Sequence, residues 1–215
     1  VLSKNSQTFS FKANGKPDLI DADAERTVLC EKTENKTADN YIFQYTNTPL
    51  YTQRYEAIVK LAELQKTNPS AKKCLVDALN DHAYHIREFA VRKLEIPKTD
   101  TTNIYTTIET LAKKDKSSWV RKAAIEKLSN SPKDSSYTSL FENSIGDSSY
   151  EVAGASLKAL NEVNSVKALR IAKQFEKEKD NNIVTAVADI YAKQGDSLYQ
   201  SYFSDKLRKS AELSK

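Results

Sequence analysis

The sequence contains little glycine, no methionine and few residues that bind metals through nitrogen or sulfur. Its 215 residues include 4 Gly, 2 His and 2 Cys. An average chain has about 7% Gly, so this scarcity argues against phosphate-binding glycine loops and a turn-rich all-β fold. Cys30 and Cys74 lie in different predicted segments and cannot form a disulfide framework or a thiolate metal site, and their redox state is left open. Because the chain begins at Val1 and lacks Met, we expect a piece of a longer protein, with Lys215 not established as the natural end.

The charge pattern excludes two classes of partner. Charged residues make up 29% of the chain, and no apolar run approaches the roughly 20 residues of a membrane-spanning helix. We therefore predict no membrane insertion, and the compartment stays open. The net charge of +4 is diffuse, and lysines and glutamates interleave along the predicted helices. Mixed signs of this kind are typical of a solvated helix face, so we predict no nucleic-acid partner.

The first 48 residues have the pattern of a β-sheet. Residues 8–12, TFSFK, alternate polar and apolar side chains with the two-residue period of a half-buried strand. Residues 14–17, NGKP, are typical of a turn, and residues 27–30, TVLC, form a second strand candidate. Two strands alone are not stable in water. We therefore predict the last strands of a β-sandwich, whose other strands lie upstream.

Three acids lie between the two strand candidates. Asp18, Asp21 and Asp23 are close enough in sequence to suggest a calcium loop. An EF-hand type of loop also needs a glycine in its middle and a closing glutamate at fixed spacing, and neither is in register. We interpret the segment as a solvated acidic loop, with metal binding as the weaker alternative.

From Pro49 onward the periodicity is helical and repeats every 31 to 34 residues. Five segments align so that three columns lie at i, i+4 and i+8, on one face of a helix. The first column is Gln53, Ile86, Val120, Val152 and Ile183. The middle column is Ala57, Ala90, Ala124, Ser156 and Val187. The last column is Leu61, Leu94, Leu128, Leu160 and Tyr191. Periods near 30–45 residues indicate stacked helical hairpins that share one core.

Charged columns accompany the apolar ones. Asp81, Asp115 and Asp147 stand five residues before the first column, whereas the last segment has no Asp there; Arg87 and Arg121 directly follow that column. Arg54 matches them one unit earlier, and Ala153 replaces the arginine one unit later. An Asp, then Val-Arg, then Ala and Leu resembles HEAT-like repeats. We expect these charges to join adjacent units, because a carboxylate at a helix start accepts from free amides and from a guanidinium.

Further helices are predicted between the column segments. The candidates are 70–79, 101–112, 135–145 and 165–178, and the connections contain Pro69, Pro97 and Pro132. The chain is thus predicted to be mainly α: an α-α superhelix of HEAT-like repeats at 49–215, preceded by a β-sandwich remnant at 1–48.

No catalytic constellation is apparent. His82 and His85 are three residues apart, whereas a zinc-peptidase helix needs His at i and i+4 with an adjacent Glu. We interpret both as surface or turn residues and predict no catalytic, cofactor-binding or metal-binding residue in this chain. Trp119 and the 11 Tyr could form a peptide-binding ledge, but Trp119 directly precedes a core position and is expected to pack between units.

Two passages resemble a known family. Residues 9–11 and 16–17 with the acidic loop and Leu29, and then residues 45–51 and 54–57, look like the junction between the β-sandwich and the C-terminal helical domain of aminopeptidase-N-type zinc metallopeptidases. The resemblance implies a non-catalytic region that encloses the active-site cavity and limits access of the peptide substrate. It also implies an upstream catalytic domain in the same polypeptide, which would carry the zinc and its His-Glu-x-x-His motif.

Two other functions remain open from the residues. The repeats alone favour a free-standing HEAT-like scaffold that binds a protein partner in its concave groove, an argument from architecture. A HEAT-like DNA-repair enzyme is the third hypothesis, and it would require salt-dependent DNA binding.

Overall fold

The computed structural model describes residues 7–97, 103–131 and 134–213, and within these ranges the chain forms eleven α-helices and no strand. The chain divides into two compact units, Val1–Cys74 and Leu75–Lys215. The prediction of a mainly helical chain is confirmed. The domain boundary predicted after residue 48 stays a prediction.

The N-terminal unit contains two complete helices that pack against each other, α1 (Ala38–Asn47) and α2 (Tyr51–Leu64). Thr37 and Asn40 form a reciprocal capping box at the start of α1, in which Asn40 Oδ1 accepts from the Thr37 amide at 2.9 Å. Gln44 is fully buried between the helices, and its Nε2 donates to the Gln53 carbonyl at 2.8 Å. The helix α3 (Pro69–Asp77) begins on a proline and crosses the boundary between the units.

The predicted β-sandwich remnant is wrong for the residues that the structure describes. Residues 8–12 and 27–30 are irregular, and the rest of the segment 7–37 has no helix or strand either. The predicted segment 1–48 instead ends in helix α1. Local alternation does not make a strand unless another strand supplies the ladder hydrogen bonds, and the described part of the chain supplies none.

The C-terminal unit is a series of helices in two alternating roles. After a 3₁₀ turn at Ala78–Asn80, the helices that carry the columns alternate with intervening helices. The column helices are α4 (Tyr84–Lys93), α6 (Ser118–Ser129), α8 (Tyr150–Val163) and α10 (Asn181–Gln194). The others are α5 (Ile104–Lys114), α7 (Thr138–Ser144), α9 (Ser165–Ala172) and the final α11 (Gln200–Leu213).

Successive column helices lie side by side, since α4 packs on α6, α6 on α8 and α8 on α10. The helices α5, α7 and α9 each pack on the column helix that follows them, and α9 also packs on α8. All fifteen column residues predicted from the sequence are buried, with at most 6% exposure. The predicted intervening helices agree in place, although residues 98–102 and Pro132 lie outside the described residues.

Candidate functional site

A ladder of arginine and aspartate side chains joins successive column helices. Arg87 in α4 donates to both carboxylate oxygens of Asp115, from Nε at 2.7 Å and from Nη2 at 2.8 Å. Arg121 in α6 repeats this bidentate geometry with Asp147, at 2.8 Å for both bonds. The remaining nitrogen, Nη1, donates to the main-chain carbonyl of Asp81 or Asp115 at 2.8 Å. We call these five residues the Arg–Asp ladder.

The aspartates of the ladder also fix where each column helix begins. Asp81, Asp115 and Asp147 each accept from the amide two residues later, at 2.8 Å. Burial alone would raise the pKa of Asp147, but the hydrogen bonds from Arg121 and from the Ser149 amide outweigh it and lower the pKa. The prediction that these columns join adjacent units is confirmed for Arg87 with Asp115 and for Arg121 with Asp147, and the role of these pairs is structural.

Aromatic side chains lie in the first turn of three column helices. Tyr84 opens α4, Trp119 is the second residue of α6, and Tyr150 opens α8. The Trp119 ring meets Tyr84 at 6.2 Å and His85 at 5.5 Å between ring centroids, both edge-on. Trp119 is nevertheless 48% exposed and Tyr150 is 53% exposed. We call Tyr84, His85, Trp119 and Tyr150 the aromatic edge.

The prediction for Trp119 is thus only partly right. Its ring does pack between units, as expected, but about half of its surface stays exposed. His85 lies within the aromatic edge, whereas the His82 side chain is exposed and its Nδ1 is 3.6 Å from Asp81. The two cysteines differ in burial: Cys30 is exposed and Cys74 is buried.

Elsewhere on the column helices, several exposed charges pair with one another. Arg92 in α4 bonds Glu88 at 2.9 Å and Glu126 of α6 at 2.8 Å. Further along, Lys158 of α8 pairs with Asp189 of α10 at 2.7 Å. Exposed, internally paired charges offer little net attraction to a partner. The apolar attraction of this surface is therefore concentrated at the aromatic edge.

The N-terminal unit contains a compact cluster of charges. Carboxylate oxygens of Asp21, Glu34 and Glu56 lie within 4.8 Å of one another, which is close enough for a shared cation. Three basic side chains already lie among them. Lys32 bonds Asp21 and Glu34, Lys36 bonds Glu34 at 2.8 Å, and Arg26 bonds Glu56 at 2.5 Å. These three acids and three bases join the segment before α1 to α2, so the role of the cluster is structural.

The acidic loop predicted from sequence therefore divides into separate contacts. Asp21 enters the charge cluster. Asp23, in left-handed backbone with φ 53°, accepts from the Thr27 and Val28 amides at 2.8 and 2.9 Å. Those hydrogen bonds lower the pKa of Asp23. The Asp18 carbonyl accepts from Asn40 Nδ2 at 2.7 Å, which holds the loop on α1.

The charge cluster leads to a prediction about acid stability. Burial disfavours ionised Asp21, but hydrogen bonds from Lys32 and Gln53 and the charge of Lys36 overcome it and lower the pKa from 3.8 to about 2. A depressed folded pKa stabilises the protein above pH 4 and loses this contribution as the pH falls towards 2. We expect Asp21→Asn to remove a pH-dependent contribution of about 2 kcal/mol, measured by urea unfolding at pH 5 and pH 2.5. The exposed Glu25→Gln is the control, and a wild-type pH dependence in Asp21→Asn would contradict this prediction.

The geometry defines a mainly helical repeat protein. No family model matches the sequence, and no curated protein matches it. Among solved structures, a chain from the complex of CpcE and CpcF of phycocyanin lyase from Nostoc sp. PCC7120 is similar, with a TM-score of 0.42 and 14% identity. The match covers 75% of this chain and 78% of that one. Within the described residues, no helix is both long and apolar enough to cross a membrane.

The expectation of an aminopeptidase C-terminal region is wrong. The described part of segment 1–48 contains no strand. The β-sandwich half of the junction on which the resemblance was based is therefore not present there. The similar solved structure is a chain of a lyase complex, and neither a family model nor a curated protein supports an aminopeptidase. That resemblance was the only basis for expecting an upstream catalytic domain, its zinc and a peptide substrate. These expectations are therefore withdrawn. That this chain has no cofactor, metal or catalytic residue of its own stays a prediction.

Proposed function

We propose that this chain is a HEAT-like helical scaffold that binds a protein partner through the aromatic edge. The observation that carries the proposal is the half-exposed Trp119, held edge-on against Tyr84 and His85 of the preceding column helix. Tryptophan and tyrosine are the residues most enriched among those that dominate protein interfaces. Rigid aromatic rings also lose little conformational entropy on binding.

The architecture supports this proposal because it makes the aromatic edge rigid. Asp115 fixes the start of α6, and Arg87 fixes the position of Asp115 relative to α4. These contacts restrict the positions of Trp119 and Tyr84 relative to each other before a partner binds. Preorganisation of this kind lowers the entropic cost of association.

Trp119 is the single tryptophan of the chain, so this chain's fluorescence reports on the aromatic edge when it is excited beyond the absorption band of its 11 Tyr. We expect its emission to shift to shorter wavelength when a purified partner, first recovered by affinity capture with the whole chain, is titrated in. Replacement of Trp119 or Tyr150 by Ala should weaken the affinity about tenfold or more, since hot-spot truncations cost about 2 kcal/mol. Affinity can be measured by isothermal titration calorimetry.

The matched control is Val166→Ala in α9, because Val166 is apolar and 81% exposed but lies outside the aromatic edge. Circular dichroism checks that each variant is folded. If the partner binds both aromatic variants as tightly as the control, the aromatic edge is not the binding surface.

A further inference from the structure

Exposed apolar side chains are concentrated in the irregular segment before α1. Phe11 is 90% exposed and Leu29 is fully exposed, with Phe9 at 53% and Val28 at 61%. They belong to the two segments with the composition of β-strands, residues 8–12 and 27–30. Residues that favour strands thus form an exposed apolar surface.

The backbone of residues 8–12 also lacks partners. No hydrogen bond joins these residues to any other described residue. The chain beyond them is held elsewhere, because Asn40 bonds the Asp18 carbonyl and Lys32 bonds Asp21. Water can satisfy the main-chain groups of this exposed segment, but the apolar side chains stay uncovered. Another strand would supply main-chain hydrogen bonds and an apolar face together.

The sequence of this segment is self-complementary. When TFSFK pairs antiparallel with itself about Ser10, Phe9 of each copy lies opposite Phe11 of the other, and Ser10 lies opposite Ser10. The aromatic pairs fall on one face of the ribbon, and Thr8 and Lys12 lie opposite each other on the other face. This symmetry is what a two-fold interface between identical chains requires.

We propose that residues 8–12 form an antiparallel two-stranded ribbon with the same residues of a second copy, so that the chain associates as a dimer through this segment. An isolated two-stranded ribbon is marginal in water, so we expect the association to be weak. The proposal is independent of the aromatic edge, which lies in the other unit.

Cysteine trapping tests the pairing register in the full 215-residue chain. In a Cys30→Ser background, Ser10→Cys should form a disulfide-linked dimer, because directly opposite residues have Cα atoms about 4.5–5.5 Å apart, within the range of a disulfide. Thr8→Cys is the matched control. In the same register its two copies are four residues apart, about 13 Å, and cannot be bridged. We expect dimer formation at least about tenfold faster for Ser10→Cys, measured by non-reducing electrophoresis.

A second variant separates pairing from chance collision. Adding Phe11→Asp to Ser10→Cys removes the aromatic pair and should abolish the fast phase, and it should lower the weight-average mass in sedimentation equilibrium. Equal trapping rates at positions 8 and 10, or no effect of Phe11→Asp, would overturn the proposal.

Discussion

Asp115→Ala is expected to lower the free energy of unfolding by about 3 kcal/mol. The substitution leaves the guanidinium of Arg87, whose side chain is only 15% exposed, without its bidentate partner. Loss of one member of a buried ion pair costs about 3–5 kcal/mol, and the ladder is slightly less buried than such pairs. The substitution also removes the acceptor of the Ser117 amide at the start of α6. Urea unfolding followed by Trp119 fluorescence measures the change.

The control for this prediction is a salt bridge of similar length but different burial. Lys158 and Asp189 also join neighbouring column helices, at 2.7 Å, but their side chains are 43% and 51% exposed. Asp189→Ala should therefore cost less than about 1 kcal/mol. Asp115→Asn, which keeps an acceptor for the Ser117 amide, should fall between the two. Equal losses for Asp115→Ala and Asp189→Ala would show that the ladder is no more than surface charge.

The apolar columns could be predicted from sequence because stacking repeats the same requirement in every unit. Ala90, Ala124 and Ser156 are all fully buried, in the middle column where neighbouring helices approach each other. Helices that pack side by side need a small residue at that position and a branched or large residue four positions away. The same pattern of side-chain sizes recurs every 31 to 34 residues in five segments, so it can be recognised from the sequence alone.

The aspartate of the last unit is not predicted by a fixed distance from the first column. The sequence has no Asp five residues before Ile183, yet Asp180, three residues before it, accepts from the Asn182 amide at 2.8 Å. The contact that is preserved is the one from the carboxylate to the amide two residues later. Counting from the start of the helix would have found Asp180.

The N-terminal segment was predicted wrongly for a different reason. Alternation in residues 8–12 is a local signal, and a strand also depends on hydrogen bonds from residues distant in sequence. Helix α1 could not be predicted from the usual capping-box sequence, because Asn40 stands where Glu or Gln is usual. The aromatic edge could not be located from sequence either, since its rings come from three helices whose relative rotation is set by the ladder.

Gly154→Ala is expected to destabilise the protein by about 2 kcal/mol, although alanine favours helices over glycine by up to about 1 kcal/mol. Gly154 lies in α8, where Ala153 replaces the ladder arginine. A methyl group on its Cα would lie 2.8 Å from the Asn182 carbonyl oxygen in the first turn of α10. A main-chain atom cannot move aside without shifting α10, so overpacking outweighs the gain in helix propensity. At the α8–α10 junction the backbones thus approach closely, whereas earlier units are joined by a bidentate pair of the Arg–Asp ladder.

Thermal and urea unfolding of Gly154→Ala measure this loss, and Gly154→Val should enlarge it. Gly15→Ala is the matched control, because nothing lies within 4 Å of the added methyl group there. Its unfolding should match that of the wild-type chain. A Gly154→Ala variant as stable as the wild-type chain would mean that α10 can move away from α8 at little cost. The junction would then be flexible where the ladder ends, and the rigidity provided by Arg87 and Arg121 would be confined to α4, α6 and α8.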